Sequence, residues 1–167
     1  MRRRHRTDRR GQALVEFALV FPIAILILVA IFDVGRGVFA YNGLTNAARE
    51  GARLAIVNQD KTMIGQRIQA NAPTLGISNL GNPNDLVSFY RALPNVDPTT
   101  NAQCTTMAVG CVAVVTARAS WQPITPIVGQ IIGPIDFVAR SEIQVEFVCP
   151  NAAIPAYATS AGCPKQP

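Results

Sequence analysis

From Leu14 to Phe32 the chain runs through 19 residues with a single charged side chain, Glu16. As an α-helix this stretch is roughly 28 Å long at about 1.5 Å per residue, close to the hydrocarbon thickness of a bilayer. Pro22 lies inside it. A proline removes one backbone donor and favours a bend, which membrane helices tolerate when neighbouring groups compensate. No stop signal follows. At Asp33 and Arg36 the apolar run passes into an Ala/Gly-rich amphipathic stretch that continues to Val57. The pattern predicts one long helix over residues 12–57, with a membrane span at about 14–32 and an amphipathic extension at 33–57.

The charge distribution orients that helix. The formal net charge is +5. Residues 1–11 contain Arg2, Arg3, Arg4, Arg6, Arg9 and Arg10 against one acid, Asp8, and so hold the whole excess. The remainder carries equal numbers of basic and acidic side chains. A neutral body argues against a general electrostatic grip on nucleic acid. A basic block directly before an apolar span instead predicts an N-terminus kept in the cytoplasm and a C-terminal body translocated across the membrane. Residues 1–11 therefore read as a basic cytoplasmic leader, and residues 58–167 as an extracytoplasmic α+β domain.

The amphipathic extension carries a stripe of small residues at four-residue spacing: Gly43, Ala47, Gly51 and Ala55. Each glycine weakens a helix by about 1 kcal/mol relative to alanine, so the stripe needs a packing reason. A ridge of small residues lets another backbone approach closely. That backbone belongs either to the chain's own sheet or to a neighbouring subunit.

Beyond Val57, residues 62–72 show weak helical periodicity and 86–93 suit a first strand. Residues 94–107 are rich in Pro, Asn and Thr and read as an exposed loop. Two stretches alternate as half-buried strands do. In 109–121, Ala113, Val115, Ala117, Ala119 and Trp121 share one face. In 135–147, Ile135, Phe137, Ala139, Ile143, Val145 and Phe147 do the same. Between them, QPITPIVGQIIGP is apolar but too broken by proline and glycine for a membrane span. It is either a buried short helix or a loop that dips toward a surface. The fold class is α+β: a long N-terminal transmembrane and amphipathic helix packed on a small antiparallel β-sheet.

The four cysteines, Cys104, Cys111, Cys149 and Cys163, all lie beyond the span. An even count in an oxidising compartment points to two disulfides. Of three pairings, Cys104–Cys111 with Cys149–Cys163 closes the shortest loops; buried free thiols are the alternative. No C-x-x-C spacing occurs, and the one histidine, His5, lies in the leader, so no metal site and no cofactor are expected.

Residues 11–17, G-Q-A-L-V-E-F, place a glycine, four residues and then a glutamate at the edge of an apolar helix. This resembles the processing site of type IV pilin-like precursors. The later A-A-R-E-G-A-R (47–53) resembles the TadE-like (TadE/TadG) family, the minor pilin-like proteins of tight-adherence (Flp) pilus systems. The resemblance is strongest over 11–56 and weaker at A-R-S-E (139–142). It implies a pilin-like architecture and cleavage between Gly11 and Gln12 by a membrane prepilin peptidase. Gln12 then becomes the N-terminus, Glu16 is the fifth residue after the cut, and Phe17 matches the aromatic that often follows. It also implies partners: the peptidase, other pilin-like subunits and the pilus assembly platform. The location implied is the cytoplasmic (inner) membrane, single-pass, with possible passage into an extracellular pilus. Physically, a carboxylate near the membrane core is costly unless paired or close to the interface. Glu16 is served either by a freed α-amine, on its own or a neighbouring subunit, or by snorkelling to the cytoplasmic interface.

The function expected from these features is that of a pilin-like (pseudopilin) subunit or assembly factor, not an enzyme. Residues 12–167 contain no histidine, no convincing nucleophile elbow and no metal cluster. Their acids are more economically solvated surface than a catalytic pair. One alternative is a secreted protein cut after Val38-Phe39-Ala40, although the apolar run exceeds an ordinary signal peptide's. Another is a membrane-anchored binding or adhesin-like domain with no role in pilus assembly.

Overall fold

A computed structural model describes residues 9–94 and 96–165 of the chain. A single helix, α1 (Arg9–Val57), runs unbroken through Pro22. Its C-terminal part is amphipathic at the spacing of helical turns. Leu44, Ala47, Ala48, Gly51, Ala52, Leu54 and Ala55 are buried, while Asn42, Asn46, Arg49 and Arg53 face out.

The chain turns at Asn58–Asp60. The Asp60 carboxylate accepts hydrogen bonds from the Thr62 and Met63 N–H groups, at 2.8 and 3.3 Å, and so caps α2 (Lys61–Asn71). A one-turn helix, α3 (Pro83–Leu86), leads into β1 (Val87–Arg91). Strands β2 (Cys111–Trp121) and β3 (Ile135–Gln144) follow, with a short helix, α4 (Pro126–Ile132), between them. The sheet is antiparallel in the order β1-β2-β3. Val87 pairs with Val115, and Ala117 pairs with Ala139.

The expected alternation places Ala113, Val115, Ala117, Ala119 and Ala139 in the core beneath α1. Alanines on both the helix and the sheet make up much of this core, with Leu44 and Val115 among its larger side chains. β2 starts later than the alternation suggests because Gly110 adopts φ +94°, a left-handed turn that ends the extended run.

Two local expectations change. First, the stretch 94–107 is not wholly an exposed loop. Tyr90 pairs with Gln103, and the Cys104 N–H donates to the Phe89 carbonyl at 2.9 Å. This segment runs beside β1 and satisfies part of its open edge, where unpaired backbone groups would otherwise face solvent. Second, the small stripe does not simply meet the sheet. A Cβ added at Gly51 would lie 2.5 Å from Ile68 Cγ1 and 3.4 Å from Ile64 Cγ2, both on α2. At Gly43 it would lie 3.6 Å from Leu75. Ile64 and Ile68 are fully buried. The helix whose periodicity was weakest in the sequence is thus the one that the stripe receives.

Candidate functional site

The N-terminal part of α1 has no tertiary cover. Its most apolar window has none of its residues buried within the chain, and α1 is long and apolar enough to cross a membrane. Gly11, Gln12, Glu16 and Phe17 all lie on this exposed helix, and nothing approaches the Gly11 position within 4 Å. Gln12 and Glu16 share one helix face, being four residues apart. The Phe17 and Phe21 rings stack at 5.2 Å on the same principle. Most of the arginine leader, residues 1–8, lies outside the described residues.

The junction between the bare helix and the folded part is built on a residue that reads in sequence only as the exit from the membrane. Asp33 is 4% exposed. Its Oδ1 accepts from Arg36 Nη1 at 3.0 Å and from the Ile124 N–H at 3.2 Å. Its Oδ2 accepts from the Thr125 N–H at 2.8 Å and from the Thr125 hydroxyl. A carboxylate taken out of water requires such donors, and charge-assisted bonds are the stronger ones. The spacing of Asp33 and Arg36 supplies the ion pair locally, at i and i+3. The other donors come from a segment some ninety positions away.

Those donors fix the start of α4. Thr125 is the N-cap residue, yet its hydroxyl serves Asp33 rather than its own helix. Proline at position 126 suits a first helical turn because its missing N–H would have no partner there. Gly133, at φ +72°, ends the helix, its N–H donating to the Gly129 carbonyl at 3.0 Å. α4 is a short helix, as one of the two sequence readings had it, but its end is not buried: Ile131 is 79% exposed. Nearby, the Trp121 ring lies against Gly37, where an added Cβ would come within 3.4 Å. Trp121 stacks on Phe137 at 6.1 Å, and Tyr41 meets Phe137 edge-on at 5.8 Å.

The distal end of α1 is held by a second polar hub. Gln59 Nε2 donates to the Ala55 and Phe147 carbonyls, each at 2.9 Å, and its Oε1 accepts from the Cys149 N–H at 2.7 Å. The Glu146 and Phe147 N–H groups donate to the Ile56 carbonyl at 3.2 and 3.1 Å. Cys149 is itself bonded to Cys163, and Cys104 to Cys111, which is the local pairing. Farther out, Arg140 Nη2 donates to Asp97 Oδ1 at 2.7 Å. Hydrogen bonds from Arg140, then from the Thr99 hydroxyl and N–H, hold the Asp97 carboxyl well below the ordinary carboxylate range. Among the described residues, no three metal-ligating side chains come together.

The family model described as TadE-like protein matches residues 11–53, which cover the bare helix, the junction and most of the buried stripe. No curated protein and no solved structure matches the chain significantly. Residues 11–53 are thus similar to the TadE-like family, and the helix they begin has the length and apolar character that suggest a single-pass membrane protein.

Proposed function

Starting from that TadE-like segment, we propose that the protein is a pilin-like subunit or assembly factor of a tight-adherence pilus or a related secretion apparatus, without catalytic activity of its own. A prepilin peptidase removes the leader between Gly11 and Gln12. The mature chain sits in the cytoplasmic membrane with its N-terminus toward the cytoplasm and its folded part outside. From there it meets other pilin-like subunits and the assembly platform.

One observation carries this reading: the Gly11–Glu16 motif begins an apolar helix that is bare along its membrane-length half, inside the TadE-like match. A cut after Gly11 leaves a positive α-amine on Gln12, on the helix face that also holds Glu16. In an apolar surrounding a carboxylate needs such a partner, on its own or a neighbouring subunit. That pairing would set the register of one helix beside another.

N-terminal sequencing of the membrane-fraction protein tests the proposal. The expected start is Gln12 in cells containing the peptidase and Met1 in cells lacking it. Gly11→Ala should leave the uncut form; Glu16→Ala should be cut normally but fail to assemble with pilus components. A start at Tyr41, or unaltered processing of Gly11→Ala, would overturn the cleavage assignment.

A further inference from the structure

An apolar patch lies on the folded part beside the end of the span. No charged residue occurs between Arg118 and Asp136. Within that stretch Ile124, Ile131 and Ile132 are exposed, the last at 56%. Asp33 ties the start of α4 to the first position beyond the span. Ile132 shares an apolar groove of about 410 Å³ with Ala30, which is inside the span, and with Val34 and Trp121. Asp33 also lines this groove but is almost wholly buried, so the exposed surface that continues from the span onto α4 is apolar.

We infer that α4, with Ile124, Ile131 and Ile132, is seated in the headgroup layer of the membrane that α1 crosses, so that the folded part rests on the bilayer and does not stand off it. The dimensions agree. Gly37, against which Trp121 packs, is five residues past Phe32, or roughly 7–8 Å along the helix axis. The headgroup layer on each side of a bilayer is roughly 5–8 Å deep. Trp121, packed on Gly37, thus lies at the height where amphipathic aromatic rings favour the interface. Lipid is the occupant because the patch prolongs a surface that lipid already covers. The hydrogen bonds from Ile124 and Thr125 to Asp33 set the height of the segment, and the free isoleucines point to an apolar medium. The inference rests on α1 being a membrane span, which the following experiment checks separately.

The test uses the full chain in phosphatidylcholine–phosphatidylglycerol vesicles, with Ile131→Trp in a Trp121→Phe background as the reporter. Lipids brominated near the glycerol end of the acyl chain should quench this indole strongly, while aqueous acrylamide should reach it poorly. Quenching by acrylamide and not by brominated lipid, in protein that resists carbonate extraction, would overturn the inference and leave the span intact. Protection from both quenchers that disappears as protein is diluted into lipid would assign the patch to a neighbouring copy and equally overturn it. Loss of the protein on carbonate extraction would remove the span reading and this inference together. If the Trp121→Phe chain does not fold, native Trp121 serves as reporter. The pair Ile131→Glu and Ile132→Glu should then weaken its quenching by brominated lipid, and unchanged quenching would reject the proposal.

Discussion

The two halves of α1 belong to one uninterrupted helix and differ in what covers them. Apart from Glu16, residues 14–32 are apolar around the circumference and touch nothing in the folded part except at their end. Residues 40–55 are apolar on one side only, and that side is buried against the sheet and α2. An all-round apolar helix needs an all-round apolar medium, whereas an amphipathic one needs a single partner. Helix formation is thus common to both halves, and what covers them is not.

Substituting a glycine in the buried half and one just past the bare half separates covered from uncovered helix most sharply. Gly51→Leu drives a side chain into Ile68 and Ile64. It should cost about 1–3 kcal/mol, toward or beyond the upper end because the neighbours are branched and buried. At Gly35 an added Cβ meets nothing within 4 Å, and the groove beside it leaves room for the smaller change Gly35→Ala. That substitution should be neutral or stabilise α1 by up to about 1 kcal/mol through helix propensity. Denaturant titration of the detergent-solubilised chain measures both. Equal losses at the two sites would erase the contrast.

The disulfides restrain only the folded half, so removing them should leave membrane association unchanged. Replacing Cys149 and Cys163 by serine opens a loop with a separation of 14. The expected loss is about 3 kcal/mol by the loop-entropy account, more if the buried Cys149 site repacks poorly. Replacing Cys104 and Cys111, with a separation of 7, should cost less. A shift in melting temperature for both pairs, in that order, with unaltered vesicle binding, sharpens the comparison.

Asp33→Ala acts where the halves meet. It deprives the Ile124 and Thr125 N–H groups of their acceptor, and a buried donor without a partner is costly. Hydrogen exchange at these two amides should accelerate strongly, while β2 amides near Val115 keep their protection. Uniform acceleration across the sheet would instead make Asp33 part of the core's cooperative unit.

The smallest effect is electrostatic and confined to the folded half. The Asp97 carboxyl is held below its unfolded value, which is near 3.9. The stabilisation from its contact with Arg140 is therefore fully present above that value. It is lost as pH falls through the lower folded-state value. Asp97→Asn should remove a small acid-dependent component of stability and change nothing at neutral pH in the behaviour of residues 14–32.

Much of this fold is legible in the sequence because its signals are local. The long apolar run, the alternation in Ala113–Ala119 and the short cysteine spacings each depend on neighbours in the chain. Asp33 escaped that reading because a carboxylate at the edge of an apolar run looks the same whether it faces water or a distant loop. Its true partners are contributed from across the fold. The segment beside β1 escaped for a similar reason: Gln103 and Cys104 have turn-like surroundings and are made extended only by the edge they satisfy.

The long helix that opens the chain shows where that division falls. By itself the sequence determined that residues 14–32 form a helix long and apolar enough to cross a membrane, with Glu16 its one charge, because a helix is the form in which so apolar a segment satisfies its own backbone. It also determined that the extension offers one small-residue face for close packing, on its own fold or on a neighbour. Only the tertiary structure decided what lies on that face, and that the boundary between the two halves is a buried carboxylate gripping α4. Those outcomes depend on which distant donors and side chains the folded chain brings within contact, and no local pattern encodes such distances.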